Sequence, residues 1–333
     1  MGKRKWAAAA VLSAVLFAAA CYVSAWLLTP SRKDYGSTWE SYLQEEPNSV
    51  DVLFFGSSLA YCDIVPGVIW QESGLATYVM AGPEQTMPIT YRYVREACKT
   101  QSPEVVAVEI TGLFYPRYCG STMANIFYMP WSPNRLMATL SGAEPELRAS
   151  LLFPILYYHS RWKEVSAPEL AAHFQPDVDM MAGYTYLDGI APQGEVSYRD
   201  FTAGDENYQR NLGYLRRIAD YCQENGIRLL LFLSPAVGQI PPEALARLQE
   251  DVSALPNATF ADFNGIVGEI GIDNGMDWYD FLHFNCYGAD KFSKYLAGYL
   301  EQELDLAPTE GADEALWAAR AAEFAARKAA SAG

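Results

Sequence analysis

Only three histidines occur among the 333 residues, too few for a His-rich metal site. The six cysteines form no C-x-x-C pair and no other metal-ligand spacing. There is no Gly-rich phosphate loop and no dinucleotide fingerprint, so no cofactor is expected. No internal repeat and no low-complexity run occurs, and the 19 prolines are scattered. These absences exclude disorder, collagen and a disulfide-stapled miniprotein. Basic charge is also short. Lys and Arg number 24 against 40 Asp and Glu, for a net charge of −16. Lys3, Arg4 and Lys5 are the only charges in residues 1–30, so the remainder carries 21 basic and 40 acidic side chains, or −19. A body this acidic repels nucleic-acid phosphates and anionic lipid, and nucleic acid is excluded as a partner.

What is present is apolar sequence, half of the chain, enough for one large domain or two modest ones. Met1–Lys5 is a short basic tip. Residues 6–28 then carry no charge, with Ser13 and Ser24 as the only hydroxyl-bearing side chains besides Tyr22. A helix of that length crosses a hydrocarbon core of ~30 Å. Basic residues before it and none just after favour an inside N-terminus and an outside body. A cleavable signal peptide is the rival, because Ala18-Ala19-Ala20 is small enough for cleavage. Such apolar regions usually run about 7–15 residues, whereas this one continues to Leu28, and an anchor is favoured. A lipoprotein site at Cys21 is weaker, with Ala18 three residues before it. Either way the body is exported. The five cysteines beyond Cys21 are an odd number, read as buried free thiols with room for one disulfide of unassigned pairing.

Residues 29–50 are polar and read as a stalk. Asp51–Phe55, Ala76–Met80, Val105–Ile110, Ile227–Leu233 and Thr259–Phe263 read as strands, each apolar and bounded by turn residues. Helical patterns fall between them, at Ile89–Lys99, Asn207–Asn225, Pro242–Leu255 and Ala289–Leu304. Continuous apolar strands alternating with helices predict an α/β domain over 51–304, a three-layer parallel sheet covered on both faces. Residues 113–200 break the rhythm. They are aromatic-rich and read as an insertion or cap at the strand carboxyl ends, its Tyr and Trp side chains shaping an acceptor site. Residues 305–333 read as a helical tail with a narrow stripe of Leu316, Trp317 and Phe324.

Two stretches could carry chemistry. Gly56-Ser57-Ser58-Leu59 ends the first strand, where parallel sheets place ligands. Asp280-Phe281-Leu282-His283-Phe284-Asn285 precedes the last core helix. A serine needs a base to take its proton; His283 can serve, and Asp280 can fix its tautomer. Asp277 competes with Asp280 for that role.

With these residues in place, the sequence resembles the SGNH (GDSL-like) hydrolase superfamily. Its serine falls on Ser58, its Asp-x-x-His on Asp280 and His283, and its second-block glycine on Gly82. The likeness is nearer to the membrane-anchored branch, the teichoic-acid D-alanyl transfer and alginate O-acetylation proteins. The resemblance implies a flavodoxin-like three-layer fold and a Ser58 acyl-enzyme. It implies a cell-envelope glycan or teichoic polymer as substrate, and a multi-spanning membrane acyltransferase as partner. Two departures stand out. Ser57 replaces the usual aspartate, and Ile110-Thr111-Gly112 stands where the third block has its asparagine. An oxyanion hole would then draw on the N–H groups of Ser58 and Gly82 and on the Gln85 or Thr111 side chain. His159, Arg161 and Asn285 are candidate substrate contacts. A non-catalytic envelope-binding protein on a decayed scaffold is the alternative.

Overall fold

The computed structural model describes residues 2–30, 39–174 and 178–331. In the first half of the chain, α1 (Gly2–Leu28), α2 (Trp39–Tyr42), β1 (Val52–Gly56), α3 (Ser58–Tyr61), α4 (Pro66–Ser73), β2 (Thr77–Ala81), α5 (Met87–Ala97) and β3 (Val105–Glu109) follow in order. The insertion contributes the short helices α6 (Thr122–Phe127), α7 (Pro133–Gly142), α8 (Pro145–Leu152), α9 (Ile155–Tyr158) and α10 (Ala167–Ala172) and the two-residue β4 (Ser197–Tyr198). The alternation then resumes with α11 (Glu206–Glu224), β5 (Arg228–Leu233), β6 (Gly238–Gln239), α12 (Pro242–Ser253), β7 (Ala258–Asp262), α13 (Val267–Ile270), α14 (Cys286–Gln302) and α15 (Glu314–Ser331).

Five strands form one parallel sheet in the order β2-β1-β3-β5-β7. Every residue of β1, β2 and β3 is buried, which is why these strands read as unbroken apolar runs. Side chains alternate between the two faces. Leu53, Phe55, Val106, Val108 and Leu231 pack with α5, α11 and α12. Val52, Phe54, Val105, Ala107 and Leu230 pack with α4 and α14. The result is an α/β/α three-layer domain, as the strand–helix alternation predicts. The chain leaves β1 for β2 on one side and for β3 on the other, so the carboxyl ends of β1 and β3 flank the switch point where such sheets bind ligands.

Three expected boundaries change. Of the stalk assigned to 29–50, residues 31–38 lie outside the described residues, but residues 39–50 belong to the domain. Trp39 and Tyr42 are fully buried, and the Tyr42 hydroxyl donates to Ala97 O at 2.9 Å. At the other terminus α15 lies on α4 and buries Trp317, Arg320 and Phe324, while Leu316 is only half-buried. Arg320 reaches across to Glu45 with both terminal guanidinium nitrogens. The tail is a structural layer of the domain.

The insertion is the third correction. Its middle does not roof the strand ends: α7 packs on α5, α8 on α7, and α9 on α1. Only its ends return to the sheet. The segment after Asp179 lines the free edge of β2, where Val79 N–H donates to Ala182 O at 2.9 Å, and Thr185 N–H donates to Tyr61 O at 2.7 Å. β4 then pairs with β6 above the strand ends. All six cysteines are free.

Candidate active site

Gly56 closes β1 with φ +147°, a conformation L side chains rarely adopt, and a Cβ there would stand 2.7 Å from the Glu109 Cβ. This is the physical need for glycine in Gly-Ser-Ser. Ser57 caps α3, is 1% exposed, and turns its hydroxyl to Glu109 Oε2 at 3.3 Å. Ser58 is the first residue of α3 and faces the other way. Its Oγ lies 2.7 Å from His283 Nε2.

His283 is delivered by a tight hairpin. Tyr279 N–H donates to His283 O, Asn285 N–H donates to Asp277 O, and Trp278 bridges Phe284. This turn sets His283 Nδ1 at 2.9 Å and 3.0 Å from the two Asp280 oxygens. Asp280 Oδ1 also accepts from Leu282 N–H at 2.7 Å and His283 N–H at 2.9 Å. With Nδ1–H donated to Asp280, Nε2 presents its lone pair to the Ser58 hydroxyl. Side-chain exposure is 17% for His283 and 38% for Asp280, so the group meets solvent. Asp277 is committed elsewhere: it is buried and accepts from Lys291 Nζ at 2.6 Å.

Burial on its own would raise the Asp280 carboxyl, but the hydrogen bond and charge of His283 and the two N–H donors outweigh it and hold it below the usual range. Burial would likewise lower His283. The hydrogen bond to Asp280, then the charges of Asp63 and Asp280, outweigh that and raise it above the ordinary imidazole value.

Sequence reasoning missed Asp63. It is fully buried after α3, accepts from Ser234 Oγ at 2.6 Å and from Phe284 N–H at 3.1 Å, and burial pushes it up to about 8. The only sequence signal is a carboxylate among the apolar residues after Ser58. Asp63 pins the residue next to His283 and, when ionised, adds negative potential near the imidazole. Each charge favours the charged form of the other. A negative Asp63 favours imidazolium, so its removal acts in one direction. In Asp63→Asn, the His283 ring titration followed by NMR is expected to move to lower pH. An unchanged or higher midpoint would remove Asp63 from the account.

Glu109 was also missed, although an acid closing an apolar strand is a legible signal. It is 1% exposed and accepts from the Thr111 hydroxyl, from Thr111 N–H at 2.9 Å and from Ser57. Burial raises it; these donors and the Arg199 charge oppose the shift. Arg199 follows β4 and arrives with the returning end of the insertion, its N–H donating to Gln239 O.

Several expected contacts are corrected. Both Thr111 donors go to Glu109, and Gly82 N–H donates to Gly56 O at 3.3 Å, so neither is free to serve an oxyanion. Ser58 N–H heads a helix and has no intrahelical acceptor. Gln85 Nε2 is buried without a partner beside Gly82, and so is Oδ1 of Asn125, which a Gly82 Cβ would strike at 1.9 Å. Asn285 is not a substrate contact: it caps α14, accepting from Tyr287 and Gly288 N–H and donating to the carbonyls of Gly189, Met276 and Trp278. Arg161 donates to Leu28 O at 2.6 Å and to Glu169 at 2.7 Å, and His159 Nδ1 bonds Leu156 O. Arg161 belongs to the contact with α1, His159 bonds within the insertion, and neither is bonded to the Ser58 site. Among the described residues no cluster of metal-ligating side chains occurs. No protein-family model matches the chain, and no curated protein matches it in sequence.

Proposed function

We propose that this protein is an extracytoplasmic serine esterase or O-acyltransferase of the SGNH type, anchored by α1. The carrying observation is the chain of hydrogen bonds from Ser58 Oγ to His283 Nε2 and from His283 Nδ1 to Asp280, joining positions 225 residues apart. In the proposed reaction Ser58 Oγ attacks an ester carbonyl carbon while its proton passes to Nε2. The tetrahedral intermediate collapses, Nε2 returns the proton to the leaving alkoxide, and an acyl-Ser58 ester remains. Water, or an acceptor hydroxyl, then loses its proton to Nε2 and takes the acyl group, and Nε2 returns the proton to the departing Ser58 Oγ. Ser58 N–H and Gln85 Nε2 are the oxyanion donors of this reading.

The O-acyl groups of a cell-envelope glycan or teichoic polymer are the proposed substrate, with a multi-spanning membrane acyltransferase supplying or sharing the acyl group. Support comes from the resemblance around Ser58, Asp280 and His283 and from a 27-residue apolar helix at the N-terminus. The basic tip favours that terminus inside and the domain outside. A non-catalytic glycan-binding role is favoured by one observation, the diversion of the Thr111 and Gly82 donors.

A membrane-impermeant biotinylated fluorophosphonate separates these readings. On intact cells expressing the protein, an adduct on Ser58 is the expected result. An adduct found only after lysis would reverse the proposed orientation and leave the nucleophile standing. No adduct under either condition would favour the binding role.

A further inference from the structure

Trp6 and Trp26 mark the two ends of the apolar part of α1. Twenty residues of helix separate them, about 30 Å, the thickness of the hydrocarbon core. Tryptophan favours the interfacial level. If α1 spans, Trp26 sits at the outer boundary, and whatever touches it lies at the same depth.

The insertion touches it. The Trp26 ring lies 4.9 Å from His173 and 5.1 Å from Phe174 between centroids. α9 packs along α1, and the Arg161 guanidinium caps the end of α1 through Leu28 O. A cleft of about 180 Å³ between the two is lined by Tyr22, Trp26, Phe127 and Trp131 among others. Around this contact the surface is apolar where water would be expected. Phe153 is 63% exposed, Leu156 54%, Tyr157 50%, Trp162 67%, Leu170 36% and Phe174 69%. A soluble monomer rarely leaves so many large apolar side chains together in water. Charge agrees. The body is strongly acidic, yet residues 145–174 carry three basic and three acidic side chains. This stretch is not repelled by a bilayer surface.

We propose that residues 153–174 form a platform seated in the outer interface of the lipid bilayer, beside the span, with these aromatic and aliphatic side chains among the headgroups and upper acyl chains. The lipid surface is chosen over a protein partner because contact with the last turns of α1 fixes the depth of the patch. Embedding six large side chains at that level adds an attachment that acts parallel to the membrane, where a single helix leaves the domain free to tilt. The proposal rests on the reading of α1 as a span.

Photo-crosslinking tests it on the full chain in dioleoyl-phosphatidylcholine vesicles. p-Benzoylphenylalanine is placed at Trp162, at Phe174, at Leu16 within α1, and at Glu250 on α12, which packs at the β7 edge of the sheet. Lipid adducts at positions 162 and 174 are expected at least about tenfold above position 250, as at position 16. Adducts at 16 without adducts at 162 and 174 would overturn the platform and leave the span intact. Absence of adducts at 16 would remove the span and the platform with it. Crosslinks from 162 or 174 to a second copy of the chain, in place of lipid, would overturn the proposal in favour of self-association.

Discussion

Ser58→Ala is expected to lose ester cleavage by about 10⁴–10⁶-fold in kcat, measured on p-nitrophenyl acetate with the full chain in detergent. His283→Ala should fall as far. The double variant should fall no further, because nucleophile and base act as one unit. Asp280→Asn keeps the base but removes the acceptor that fixes Nδ1–H, and a loss of about 10⁴ is expected. Ser57→Ala should stay within about tenfold of the parent. Its hydroxyl points at Glu109, and at 3.3 Å it makes a weak bond. This ordering separates the catalytic reading from the binding one. Cleavage that survives in Ser58→Ala at a tenth of the parent rate, or a Ser57→Ala variant as dead as Ser58→Ala, would break the assignment.

The largest stability effect is expected far from that site. Arg320 and Glu45 form an ion pair with side-chain exposures of 0% and 5%. The guanidinium also donates from Nε to Asp179 O at 3.0 Å and stacks 4.4 Å from the Trp317 ring centroid. Removing one member leaves the other charged, buried and unpaired. Glu45→Ala should therefore cost about 3–5 kcal/mol. For a domain of this size that is roughly 10 °C in the midpoint of thermal unfolding. Replacing both members by apolar residues of similar volume, Glu45→Leu with Arg320→Met, should recover most of the loss. Calorimetry checks both. Equal damage from the single and double changes would mean that packing, not the orphaned charge, sets the cost.

Strands were legible because a parallel sheet buried on both faces needs unbroken apolar runs, and Gly56, Ala81 and Ser234 sit where those runs stop. Asp280 and His283 were legible for a different reason. Their three-residue spacing is a local geometry, and one hairpin turn brings both side chains to the same side. What escaped notice depends on tertiary contact. Asp63 and Ser234 meet across 171 residues, and Arg199 reaches the site by way of the β4–β6 pairing. The stalk was misread because the polar residues around Trp39 and Tyr42 outweigh two aromatic side chains on one turn. The insertion was misread because its aromatics do not follow the usual rule of apolar inside: Trp162 and Phe174 point outward beside α1, and no water-based periodicity describes that face. The stripe read on the tail kept Trp317 and Phe324, but the position that matters most there is Arg320, a charge that composition assigns to the surface.

The Glu45–Arg320 clamp spans 275 residues, and this sets an order in time. During synthesis from the N-terminus Glu45 emerges early, and its partner Arg320 on α15 emerges 275 residues later. β1 and β2 can pair soon after they appear, but the layer that covers α4 cannot close until the ribosome has passed residue 331. Ser58 likewise waits for His283. A chain stopped before α15 would carry every residue named in the candidate site and still lack the counter-charge for Glu45. Closure of the layer over α4 thereby waits for α15, and products cut short before it are marked for proteolysis by an open face over α4.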